Sequence, residues 1–202
     1  MFALVESGSI TKLLNGNKGI ELNGVKHSAA IYSSAWTEAE RNNIGIYTVQ
    51  IDDTNFKDSY WYVNTDMTYS FGSGKVTGAY GTATAKETDD TKWTQKQIDD
   101  GLAPVGADTD TVAIKGLKTI LIEQVKGQAE SELDRTDWYI TRKTEKNTAI
   151  PSAISTHRDA VRSKQASMET SITNAANTAA LETLYKRDGD GDRPIGDIPT
   201  LK

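Results

Sequence analysis

The chain has 202 residues and no cysteine, which excludes disulfides, thiolate metal sites and thiol nucleophiles. Hydrophobic residues make up 37% and charged residues 25%, with Thr, Ser and Asn filling the shortfall, so a folded protein with a thin core is expected. The net charge of -5 contains no basic block: residues 1–107 carry 9 Lys/Arg against 13 Asp/Glu, and residues 108–186 carry 11 against 11, which argues against nucleic acid and anionic membrane as partners.

No apolar run approaches the roughly 18 residues of a membrane span. The start, Met1–Leu14, lacks a basic stretch followed by an apolar core, so no secretory signal is expected and the chain is read as made in the cytoplasm.

In chain order, residues 2–7 and 9–14 read as short strands around Gly8. Residues 19–27 alternate apolar and polar, with Ile20 and Leu22 on one face and a turn at Asn23-Gly24. Ser34 is expected to cap a short helix over 36–43 that ends at Gly45. Residues 46–51 return to strand composition. Residues 60–63, 67–71 and 75–80 follow as aromatic and β-branched strands, the last two joined through Gly72-Ser-Gly74. Residues 1–81 thus form a small, mostly antiparallel β domain of five to seven strands with one short helix. Residues 82–110, rich in Thr, Asp and Gly, read as a linker in which Trp93 and the stretch Gln95–Asp100 could add one helical turn.

The second half changes period. Asp110 or Thr111 is expected to cap one long helix over 112–144, with Leu117, Leu121, Val125 and Ala129 recurring every four residues. Gly116 and Gly127 weaken it and mark either close packing or a tolerated surface position. The chain turns near 146–151, and Pro151 suits the first position of a second helix carrying Ile154, Val161, Met168 and Ile172 on one stripe. Thr178 is expected to cap a last short helix to Lys186. Residues 111–186 therefore read as an α-helical hairpin with a short terminal helix, and 187–202 as an extended acidic tail. The fold class is α+β.

Chemistry-bearing motifs are sparse. The two histidines, His27 and His157, lie in different halves without a partner at metal-ligand spacing. No nucleophile elbow and no phosphate-binding glycine loop occurs. Asp52, Asp53 and Asp58 could offer paired carboxylates for a hydrolase, but a polar turn explains them. Asp188, Asp190 and Asp192 alternate as in a calcium loop, yet Arg193 and Pro199 stand where that loop needs Gly and Glu, which leaves a solvated tail or cation bridging inside an assembly. No cofactor, metal site or catalytic residue is expected. In Tyr60-Trp61-Tyr62, strand alternation puts Tyr60 and Tyr62 on one face and Trp61 on the other.

The densest constellation runs from Arg135 to Arg162. Trp138 and Arg142 lie four apart, as do Arg158 and Arg162. Two readings stay open. Trp138 and Ile140 pack the hairpin while the arginines pair with Asp137, Glu145 or Asp159; or Trp138, Tyr139, Arg142, Arg158 and Arg162 form a docking face, since Trp, Tyr and Arg are enriched at interface hot spots.

Thr136-Asp-Trp-Tyr-Ile140, Arg142-Lys-Thr-Glu145, Ala149-Ile-Pro151, Arg158-Asp-Ala-Val-Arg162 and Ala179–Tyr185 carry a resemblance. This region is similar to the helical C-terminal region of small tail-associated proteins of tailed bacteriophages, of the tail-assembly-chaperone and tail-fibre-assembly type. Phe2–Val5, Trp36–Arg41 and Gly45–Val49 extend the likeness to the first half. The resemblance implies a non-enzymatic structural protein of the virion tail, baseplate or fibre attachment. It implies other phage tail or fibre proteins as partners, and a homo-oligomer or symmetric assembly. The alternative it leaves open is a fibre-assembly chaperone that does not stay in the particle.

Overall fold

A computed structural model of the chain describes residues 1–201. Helix makes up 37% and strand 22%, and the strands fall into several small sheets, so the architecture is mixed α and β. The chain divides into two units, Met1–Thr84 and Ala85–Lys202.

The first unit is built on a five-stranded sheet. Its strands are β1 (Phe2–Glu6), β2 (Ser9–Leu14), β5 (Ile46–Asp52), β7 (Met67–Gly72) and β8 (Lys75–Tyr80), in the order β2-β1-β5-β8-β7. All pairs are antiparallel except β5 and β8, which run parallel with Val49 opposite Val76. A separate hairpin is formed by β3 (Ile20–Leu22) and β4 (Val25–His27). Phe2-Ala-Leu-Val5 is apolar at four successive positions because β1 is covered on both faces. Ala3 and Val5 join Val49 and Val76 in one core, with Tyr47 and Phe71 against it. Leu4 joins Leu14, Ile31 and Ile46 in the other, with Phe2 and Trp36 against it. The edge strands β2 and β7 come near each other, so the sheet curls.

Three hairpin turns use the same device. Ser7-Gly8, Asn23-Gly24 and Ser73-Gly74 all have positive φ, as the tight type I′ turn requires. Helix α1 (Glu38–Asn43) is capped by Thr37 rather than Ser34. Glu40 stands three residues after Thr37, and its carboxylate accepts from the Thr37 N–H while the Thr37 hydroxyl accepts from the Glu40 N–H, a reciprocal box that Ser34 cannot make. These bonds hold the Glu40 carboxyl below its ordinary pKa. Thr37→Ala should destabilise the unit by about 1 kcal/mol, read as a lowered urea midpoint at unchanged slope.

The expected strand over 60–63 shrinks to Tyr62–Val63 (β6). Asp58 closes a turn instead: its carbonyl accepts from the Trp61 and Tyr62 N–H groups and its carboxylate from the Tyr60 N–H. The turn abolishes alternation, so Trp61 and Tyr62 are both buried and Tyr60 is exposed.

In the second unit the stretch read as a linker has the helical turn expected over Gln95–Asp100 and, besides it, strands that were not expected. A short strand β9 (Thr84–Ala85) lies at the boundary, followed by β10 (Thr91–Lys92) and α2 (Gln95–Asp99). The single helix expected over 112–144 is three elements: β11 (Val112–Ile114), paired with β10, then α3 (Leu117–Asp134) and α4 (Asp137–Lys146). Gly116 starts α3, and the carbonyls of Glu87 and Thr88 accept from Leu117 and Lys118, satisfying helix-start N–H groups that Asp110 and Thr111 are too distant to reach. A Cβ on Gly116 would lie 2.3 Å from the Asp89 carbonyl carbon, so this glycine marks close packing, whereas Gly127 has open space around it.

Helix α5 (Ser152–Asn174) begins just after Pro151, and α6 (Thr178–Tyr185) is capped by Asn177, not Thr178. The Asn177 side chain accepts from Ala180, which frees the Thr178 hydroxyl to donate to the Lys86 carbonyl. Helices α3 and α5 pack on each other. Leu117, Leu121, Val125 and Ala129 of α3 are all buried, as are Ile154, Val161, Met168 and Ile172 of α5.

Candidate functional site

The break between α3 and α4 creates the site. Thr136 leaves helical geometry, with its N–H and hydroxyl both donating to the Leu133 carbonyl. Arg158 of α5 reaches into the break and donates to the Leu133 carbonyl (2.8 Å), the Thr136 hydroxyl (2.6 Å) and the Asp137 carboxylate (2.7 Å). A cation among the last carbonyls of α3 also suits that helix's dipole. Arg158 is only 7% exposed, so it fastens α4 from inside and does not belong to a docking face.

What Arg158 fastens is left uncovered. Helix α4 has no buried residue among its ten. Trp138 and Tyr139 stack at 3.8 Å between ring centroids, and the Arg142 guanidinium lies over both, at 4.7 and 5.2 Å. Trp138 nonetheless stays 51% exposed, and Ile140 beside it is exposed too. Of the residues suggested as a docking face, then, Trp138, Tyr139 and Arg142 come together at the surface. Arg162 does not join them: it is exposed on α5 and pairs with Asp159 at 3.5 Å. The expected pairing of the arginines with Asp137 and Asp159 is seen; the expected packing of Trp138 and Ile140 inside the unit is not.

The C-terminal segment is exposed over its acidic run, residues 187–192, and anchored beyond it. Asp188, Asp190 and Asp192 lie in a turn where the Asp188 carboxylate accepts from the N–H groups of Asp190 and Asp192. Ile195 is buried and its N–H donates to the Leu184 carbonyl. Arg193 sits over the Tyr185 ring and pairs with Asp197 at 2.5 Å. Among the described residues, no three His, Asp or Glu side chains gather in a way that could hold a metal ion.

Farther along, the segment meets Glu132 of α3. The Glu132 carboxylate accepts from the Leu201 N–H (2.5 Å) and from Arg135 (2.8 Å), and contacts His157 Nε2 at 3.0 Å. Burial pushes this carboxyl upward, but the Leu201 N–H, Arg135 and His157 outweigh it and hold it below its ordinary pKa. An open groove of about 800 Å³ lies here, lined by Gln128, Ser131, Glu132, Arg187, Arg193 and Asp197 among others. Its charges are engaged with one another: Arg187 and Arg193 both face Asp197, and Glu132 has three partners. The exposed aromatic face of α4 is therefore the surface with most left to offer a partner. Residue spacing had no means of locating Glu132, because two of its three partners, His157 and Leu201, come from α5 and the C-terminal segment.

No protein-family model, curated protein or solved structure matches the chain. Among the described residues, no helix is long and apolar enough to cross a membrane.

Proposed function

We propose that this chain is a structural protein of a tailed-bacteriophage virion, a tail, baseplate or fibre-attachment component that works through contacts with other proteins. The observation that carries the docking part is α4: ten residues, none fully buried, with the Trp138 ring exposed on a half-buried Tyr139 and Arg142. Helices this short are marginal in water unless tertiary packing supports them. An exposed Trp138 stacked on a half-buried Tyr139 and Arg142 offers the residue types from which interface hot spots are made. The tailed-phage context rests on the sequence resemblance of residues 136–162 and 179–185.

In this reading the second unit is a helical hairpin, α3 against α5, with an acidic C-terminal segment, joined to a mostly antiparallel β domain. It acts without catalytic residues or cofactor, in a homo-oligomer or symmetric assembly, and with neither nucleic acid nor membrane as partner. Mass spectrometry of purified particles of a phage encoding the chain should find it in fixed stoichiometry. Trp138→Ala with Arg142→Ala should lower its incorporation roughly tenfold or more, with circular dichroism and urea midpoint unchanged. Absence from particles, with the chain bound to fibre protein during assembly, would replace the virion role by the chaperone role.

A further inference from the structure

Within the second unit, residues 91–114 form an arm held at its root. On one side the Glu87 and Thr88 carbonyls and the Asp90 carboxylate accept from Leu117, Lys118 and Gly116, and Lys118 pairs with Asp89 at 3.3 Å. The pairing of β10 with β11 and the 2.8 Å Lys92–Asp110 bridge close the arm's base. The arm exposes apolar side chains: Val112 and Ile114 on β11 at its base, and beyond the base Leu102, with Val105 at 109% standing fully clear. An isolated two-stranded ribbon is marginal in water, and one that also exposes four large apolar residues needs a partner.

The charges around the two exposed surfaces are opposite. The arm holds four aspartates against two lysines, and both lysines are engaged, Lys92 with Asp110 and Lys96 with Asp100, so Asp99 and Asp108 give it its net negative charge. On α4, Arg142, Lys143 and Lys146 outnumber Glu145, while Asp137 is tied to Arg158. One surface is aliphatic in a negative frame, the other aromatic in a positive frame. This is complementarity in both apolar character and charge.

We infer that the tip of the arm, centred on Val105, docks on the Trp138–Tyr139–Ile140–Arg142 face of α4 of a second copy of this chain. The inference rests on the reading of α4 as a docking surface and names the partner. The two patches differ, so the contact is head-to-tail: copies close into a ring where the rotation allows and otherwise continue as a filament.

The absence of native cysteine makes the test clean. V105C and I140C variants, one of them carrying a mass tag, are mixed under mild oxidation. The expected product is the mixed V105C–I140C dimer, in at least tenfold excess over either with an exposed control, S9C. The V105C/I140C double variant should give a ladder of higher species, and Val105→Asp should reduce the mass of the native protein in light scattering. No excess mixed dimer, or V105C–V105C dimers in preference, overturns the inference. If Trp138→Ala blocks particle incorporation while no mixed dimer forms, α4 docks on a different protein and only this inference falls. If the mixed dimer forms and the chain is absent from particles, self-docking holds and the virion reading falls.

Discussion

Replacing Arg158 with alanine should destabilise the second unit by about 3 kcal/mol, one of the largest effects of any single polar substitution in the chain. The three acceptors around Arg158 Nη1 do not contribute equally. The Leu133 carbonyl keeps two donors from Thr136 when the guanidinium is gone, so it is not orphaned. The Asp137 carboxylate is 54% exposed and can turn to water. The main losses are the charge-assisted bond to the fully buried Thr136 hydroxyl and the void left by a side chain with almost no exposure. Urea denaturation should show a lower midpoint at unchanged slope. Arg158→Lys should recover part of the loss, since an ammonium restores charge and some donors but not the planar reach across the break. Hydrogen exchange should show α4 opening before α3 and α5 in the alanine variant. Equal stability of Arg158→Ala and the parent would mean that the break between α3 and α4 is held by something else.

That break shows what residue spacing could and could not reveal. The four-residue recurrence of Leu117, Leu121, Val125 and Ala129 and the stripe of Ile154, Val161, Met168 and Ile172 located the buried faces of α3 and α5, because the helical period is local. Ser7-Gly8 and Ser73-Gly74 turned where glycine signalled a turn. The interruption at Thr136 carries no glycine or proline. It exists because Arg158, 22 positions on, reaches back into it, and period alone therefore runs 112–144 together as one helix. Of the arm, only the helical turn over Gln95–Asp100 was legible, and the rest was not for a related reason. Thr, Asp and Gly made residues 82–110 look like connecting chain, and the fold there depends on carbonyls of Glu87 and Thr88 meeting the start of α3. Leu102 and Val105 were the available signal, being apolar residues inside a polar stretch. On α4, Trp138, Tyr139 and Arg142 were legible as a group; that Arg158 faces inward and Arg162 stands apart was not, because spacing on α5 cannot say which side α4 lies on.

The C-terminal segment is the second place where a buried polar group decides the outcome. Glu132→Ala should cost about 3 kcal/mol at neutral pH, because it leaves the nearly buried His157 ring without its partner and the Leu201 N–H without an acceptor. It should also free residues 195–201, read as faster amide exchange there and faster trimming by carboxypeptidase. Glu132→Gln separates shape from charge: the amide keeps an oxygen for Leu201 but loses the ion pair with Arg135. The parent carries a pH signature that the glutamine variant lacks. A carboxyl held below its unfolded pKa of about 4.3 contributes its full stabilisation above that value and loses it as pH falls through the lower folded pKa. Below that point both states are protonated and the contribution is gone. The Glu132 carboxyl is ionised in folded and unfolded chains above about pH 5 and adds no pH dependence of its own there, and the margin of the parent over Glu132→Gln should shrink as acid is added below about pH 4.3. The Leu201 N–H sets most of the margin, because its bond to a charged oxygen is stronger than one to an amide oxygen; the exposed Arg135 is screened by water and the His157 contact comes last. A margin that stays constant down to pH 2, or a C-terminal segment whose exchange is unchanged in Glu132→Ala, would show that the segment is held by Ile195 and the Arg193–Asp197 pair instead.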